Sequence, residues 1–175
     1  MLKISMDLSS GGINKAIREI EAYKRELADK LTLYRTRLGE EIATEARMGF
    51  SSSMVDDIIK GGSPHTAQVE VSVTDDGNTT IILADGEDAV WCEFGAGVFH
   101  NGSVGSSPNP YGGEIGLTIG SYGKGKGSQT AWGFYDGDEN LIITRGTVAT
   151  MPMYKAVQAV TARAISIAKE VFGDD

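Results

Sequence analysis

The chain reads as an α+β domain. A four-stranded antiparallel sheet, made of two hairpins, is packed by a long N-terminal helix and a C-terminal helix, with a long glycine-rich loop between the hairpins. Three observations predict this. Apolar residues recur at helical spacing from Ile13 to Ala46 and again from Pro152 to Phe172. Two segments, 67–85 and 129–145, alternate with a period of two around a turn. Eleven of the 23 glycines fall between Gly95 and Gly127. A chain of 175 residues, 41% hydrophobic, is long enough for one core, so one domain over 1–175 is expected.

The first helix is expected over about 11–49. Its apolar positions 16, 20, 23, 27, 31, 34, 38 and 42 have a mean spacing of about 3.7, nearer a straight helix than a heptad seam. Ser9 or Ser10 caps it, Glu21/Arg25 and Glu26/Lys30 support it, and Gly49 ends it. At about 1.5 Å per residue it is longer than the domain needs, so it bends near Leu31–Thr36 or one end projects toward a partner. "SSSMVDDIIKGGSPH" reads as a linker with a turn of helix.

Val69, Val71 and Val73 then alternate with polar residues, "DDGN" turns the chain, and "TTIILAD" returns. A short helix over 87–94 follows, capped from Asp85–Asp88, with Val90 and Phe94 on one side. Residues 95–128 form the glycine-rich loop, too poor in apolar residues to build core and of a length usually tied to function. "TAWGFYD" and "NLIITRG" make the second hairpin, and Pro152 opens the last helix, 152–172.

Charge and composition exclude several classes. With 24 acids against 16 bases the net charge is −8 and the pI about 4.8, the wrong sign for binding nucleic-acid phosphates over a broad surface. A lone cysteine, Cys92, permits no internal disulfide. The first residues lack an apolar signal core and no stretch reaches the length of a membrane span, so a soluble protein made in the cytoplasm is expected, with no membrane partner.

Motifs of catalysis are incomplete. "GSYGKGKGS" places Gly120, Gly125 and Lys126 as in a phosphate-binding loop, but Gly127 stands where the Mg²⁺-binding hydroxyl belongs and a strand follows instead of a helix. "DGDENL" starts like a calcium loop with Asp136, Asp138 and Asn140, yet Leu141 replaces the glycine and Thr147 the distal acid. Cys92, His65 and His100 are the only material for a thiol nucleophile and base, and Cys92 lies in an apolar segment where a thiol packs as a small hydrophobe. Glu93 is better placed to accept backbone N–H groups of the turn at Gly95–Gly97 than to act catalytically. No enzyme, metal or cofactor is expected.

Three segments carry a resemblance. "WCEFGAG" after a hairpin, "LTIGSYGKGKG" leading to a Trp hairpin, and "TRGTVATMPMYKAV" opening the last helix occur in that order over nearly the whole chain. Together they resemble the minor tail components of long-tailed siphophages, in the tail-completion or head-to-tail joining family of phages and prophages of Gram-positive bacteria. The matching positions are Glu93, Phe94, Gly95 and Ala96, then Thr144, Arg145, Gly146, Ala149, Pro152, Met153 and Tyr154. Ala96 replaces a frequent hydroxyl, Arg145 a histidine, and the Asp-Thr-Gly-Leu signature of many relatives is absent.

The resemblance implies a non-enzymatic structural protein of the virion, made in the bacterial host. It would form a ring at the head-proximal end of the tail, touching copies of itself and neighbouring neck and tail-tube proteins, while DNA passes through the lumen without specific binding. Glu93, Phe94 and Gly95 would fix the exit of the loop, with Glu93 closing the short helix onto its glycine turn. Trp132 would hold the second hairpin, and Gly146, Pro152, Met153 and Tyr154 would dock the last helix. Tyr122, Lys124 and Lys126 are the loop's candidates for partner contact, the loop staying free until a neighbour orders it. The alternatives are a tail terminator in the same virion and, in another class, a small phosphate- or nucleotide-binding domain using Lys124 and Lys126.

Overall fold

Helix α1, Ser10–Ser51, is the axis on which the other elements are built. Ser9 starts it as predicted: its backbone is extended and its Oγ accepts the Gly12 N–H at 3.0 Å, satisfying a first-turn donor that has no partner inside the helix. The computed structural model describes residues 9–55, 64–95, 108–112, 114–115, 132–135, 138–144 and 146–173, with the backbone alone for 132–134 and 142–144.

Gly49 does not end α1, which runs through Ser51. Its use is proximity: a Cβ there would lie 2.9 Å from Pro152 Cβ. Gly39 serves likewise, because its Cβ would lie 2.6 Å from Thr80 Cγ2. The covered face of the C-terminal half of α1 is therefore Gly39, Ala43, Ala46 and Phe50, one position round from the expected Leu38 and Ile42, which are half-buried. Small side chains let other backbones come close, and that decides which face is sealed.

The first hairpin is β3, Glu70–Asp75, antiparallel to β4, Thr80–Asp85, with Val71 opposite Ala84 and Val73 opposite Ile82. Its turn is the one the sequence predicts. Asp75 Oδ1 accepts Gly77 N–H at 2.7 Å, Asp76 Oδ1 accepts Asn78 and Thr79 N–H, and Gly77 has φ +88°. Two arginines tie the hairpin to α1: Arg35 pairs with Asp75 at 3.0 Å, and Arg47 donates twice to the Val71 carbonyl, at 3.0 and 2.8 Å.

The second hairpin, β5 (Trp132–Tyr135) with β6 (Leu141–Thr144), pairs Trp132 with Thr144. Part of the expected linker is instead a third small ladder, β1 (Met54–Val55) with β2 (His65–Thr66). Among the described residues each ladder is two-stranded, so the hairpins do not form the single four-stranded sheet expected. One edge group shows why at β3: the Val71 carbonyl is occupied by the Arg47 side chain rather than by a further strand.

Helix α2, Glu87–Phe94, starts at Gly86, whose φ of +141° and absent Cβ allow contact with the Gln68 carbonyl. Its buried face is Ala89, Cys92 and Glu93; Val90 is exposed and Phe94 half-buried, a different face from the one expected. Helix α3, Pro152–Phe172, lies antiparallel along α1 through Ala156, Val160, Ile167 and Val171. Arg163 reaches Glu45 at 2.9 Å, Arg37 reaches Glu170, and the Tyr34 hydroxyl donates to the Ala164 carbonyl. Thus α1 takes both the hairpin and α3, and the two long helices do not simply share one sheet face. The core joins Ala43, Ala46, Phe50, Val55, Val71, Ala89, Cys92 and Ala156. Among the described residues no helix is long and apolar enough to cross a membrane.

Candidate functional site

Helix α3 begins with a deficit. Its N-cap is Met151, in the left-handed region at φ 55°, ψ 55°, and no side chain of its own caps the first turn. Pro152 has no N–H, so the next donors to satisfy are Met153 and Tyr154.

Glu93 satisfies both. Its Oε2 accepts Met153 N–H at 2.8 Å, and its Oε1 accepts Tyr154 N–H at 2.9 Å. The same Oε1 accepts the Asn109 side-chain amide at 2.8 Å. Glu93 and Asn109 are both buried. Burial pushes the Glu93 pKa above its ordinary value, against the donors at Met153, Tyr154 and Asn109. All three partners donate, so the carboxylate is the form the geometry fits, and its charge lies at the positive end of α3.

The preceding residue completes the join. The Cys92 carbonyl, near the end of α2, accepts Thr150 N–H at 2.9 Å and Met151 N–H at 3.0 Å. Ser53 Oγ, just beyond α1, lies 2.6 Å from Thr150 Oγ1 and also donates to the Gly49 carbonyl at 2.8 Å. The end of α2, the start of α3, the end of α1 and the loop at Asn109 thus meet around two consecutive residues, Cys92 and Glu93. Ring contact extends the junction outward, with Tyr111 edge-on to Tyr154 at 6.2 Å.

This corrects the role expected of Glu93. Of that turn only Gly95 is among the described residues, and its N–H goes to the Trp91 carbonyl, while Glu93 reaches across the fold to α3. Gly95 is buried at φ +78°, a conformation that favours glycine where the chain leaves α2. Gly146 is likewise buried, at φ +90°. Phe94 is half-buried. Glu93, Met153 and Tyr154 therefore come together, while Trp132 is placed by its backbone in β5. Tyr122, Lys124, Lys126, His100 and Asp136 lie outside the described residues, as does most of the 95–128 loop.

Asn109 was not foreseen, since the loop was expected to contribute nothing to the interior. The available signal was local: "NPYG" is turn-forming, and Asn109 Oδ1 accepts the Tyr111 N–H at 3.0 Å. Asp88, expected to cap α2, instead accepts Gln68 N–H at 2.9 Å and meets His65 Nε2 at 3.1 Å.

The chemistry of the junction is fastening. The Cys92 thiol is buried and its pKa is pushed up to about 11, chiefly by burial and then by nearby Asp88, which keeps it from acting as a thiolate. Asp138 and Asn140 are exposed around Glu139, which takes φ 61°. Among the described residues, no three His, Cys, Asp or Glu side chains are grouped to hold a metal ion. Comparison of the chain with family models, with curated proteins and with solved structures finds no match in any of the three.

Proposed function

We propose that this chain is a structural, non-enzymatic component of a phage neck or tail terminus, forming a ring that completes the tail and joins it to the DNA-filled head. The reading rests on the resemblance carried by "WCEFGAG" and "TRGTVATMPMYKAV". One observation supports it most: those two segments meet directly, Glu93 of the first accepting Met153 and Tyr154 N–H of the second. The acid that would be the natural suspect for catalysis is thereby committed to holding the fold.

In this role the partners are further copies of the chain and the neighbouring neck and tail-tube proteins. The glycine-rich segment supplies contacts, with Tyr122, Lys124 and Lys126 in them. The acid excess of the whole chain, 24 acids against 16 bases, suits a lumen to which DNA does not adhere. The protein is made in the bacterial cytoplasm and acts in the virion.

Electron microscopy of particles made by the parent prophage lacking this gene tests the reading. Filled heads beside separate, finished tails are expected. Abnormally long tails would assign the chain to tail termination instead, and normal infectious virions would overturn the structural role. In that last case, calorimetry with ATP and Mg²⁺, with and without Lys126→Ala, tests the phosphate-binding rival.

A further inference from the structure

Among the described residues, helix α1 outruns α3. At Tyr34 the ring of Phe172, the last residue of α3, packs edge-on at 5.8 Å, and residues 10–33 continue beyond it for about 36 Å at about 1.5 Å per residue. On that stretch Ala16, at the flank, is buried, whereas Ile13, Ile17, Ile20, Leu27 and Leu31 are 37–50% exposed. With Lys24 they occupy 13, 17, 20, 24, 27 and 31, spaced four, three, four, three and four. That is a heptad seam, narrower than the stripe read over the whole helix. The face sealed in the other half, at Gly39, Ala43, Ala46 and Phe50, is roughly a quarter turn round the helix, so the seam does not simply continue the core.

We propose that residues 10–33 pair with the same segment of a second copy, antiparallel, as a two-stranded coiled coil. The seam selects this occupant and this direction. Inverted about Ala22, it faces itself: Ile13 stands opposite Leu31, Ile17 opposite Leu27 and Ile20 opposite Lys24, every first-position residue meeting a fourth-position one.

Charge separates the two directions. A parallel pair in register stacks Lys24 on Lys24 and sets Lys30 beside Arg35 across the flank. The antiparallel pair lays each Lys24 stem along the seam, with its ammonium beside Glu21 of the other copy, so the two lysines and two glutamates form one neutral cluster at the centre. Length agrees too. Residue 10 falls opposite residue 34, so the overlap stops where each α3 ends, and the two α1–α3 pairs sit at opposite ends. The pair is isologous and closed, a state of the free protein that does not depend on the ring reading.

Sedimentation equilibrium on the full chain is expected to give twice the 18.6 kDa of one chain. Ile17→Lys with Leu27→Lys should leave the monomer with unchanged helical circular dichroism. Lys24→Glu should weaken association roughly tenfold, and adding Glu21→Lys should restore it. Brief oxidation should cross-link an Ile13→Cys chain to a Leu31→Cys chain, and neither variant to itself. A monomer at all concentrations, a dimer indifferent to the two lysine substitutions, or efficient Ile13→Cys self-cross-linking would each overturn the proposal.

Discussion

The two halves of α1 make opposite choices. From Tyr34 on, the covered positions are Gly39, Ala43, Ala46 and Phe50, and hairpin and α3 press against them. Before Leu33 the large apolar residues are isoleucine, leucine and tyrosine, and they stand 37–50% exposed, Ala16 being buried beside them. Within one unbroken helix, side-chain size tracks how closely a neighbour comes. Gly39, Ala43, Ala46 and Ala16 mark contacts inside the chain, where a neighbour comes close, with Phe50 filling the core beside them, and the large residues of the first half mark a surface whose counterpart must come from elsewhere.

The largest disruption of the covered half should come from Glu93→Ala. It strips the acceptor from Met153 and Tyr154 N–H and from Asn109, releasing α3 where it meets Gly49. A loss of about 3 kcal/mol by urea unfolding is expected, from leaving several buried donors unpaired. Hydrogen exchange should speed up in residues 39–50 and not in 12–30; equal acceleration in both would erase the distinction between the halves. Glu93→Gln should also destabilise, by about 1–2 kcal/mol, because one end of an amide presents donors to donors.

The same substitution in the two halves sharpens the contrast. Gly39→Ala puts a methyl 2.6 Å from Thr80 Cγ2, so overpacking should outweigh the gain of about 1 kcal/mol in helix propensity, for a net loss of about 1 kcal/mol. Gly11→Ala meets nothing nearer than Ser9 Oγ at 3.7 Å and should be neutral or stabilise by about 0.5 kcal/mol. Thermal unfolding of the two variants decides it.

A smaller effect lies at the boundary between the halves and shows only with pH. Arg35, then Thr80 and the Gly77 N–H, hold the Asp75 pKa well below its ordinary value. Its folded-state pKa is depressed, so its contribution is present above the usual carboxylate range and lost as pH falls through the folded value. Asp75→Asn should therefore lower the melting temperature at neutral pH, and the deficit should shrink toward acid; a deficit constant with pH would rule out the ion pair as its cause.

Local physics made most elements legible. Ser9, "DDGN" and Pro152 act within a few residues of themselves, and α1, the first hairpin, α2 and α3 lie close to where those signals put them. What escaped depends on chain segments far apart. Glu93 takes N–H groups 60 and 61 residues away, and a backbone N–H has no side chain to advertise it. The signal lay at the other end: α3 starts from Met151 with none of the usual capping residues there, so its donors had to be met from elsewhere. Gly49 was misread for a similar reason, since a glycine near a helix end fits a terminus and a close contact equally well.

The Asn109 bond to Glu93 also sets a leash. Glu93 and Asn109, 16 residues apart, are held at one point of the body beside the start of α3, so a single buried bond closes a loop of chain there. The entropy lost in closing that loop weighs against the bond in the folded state, and Asn109→Ala, which opens the loop again, should cost less than the lost hydrogen bond alone would suggest.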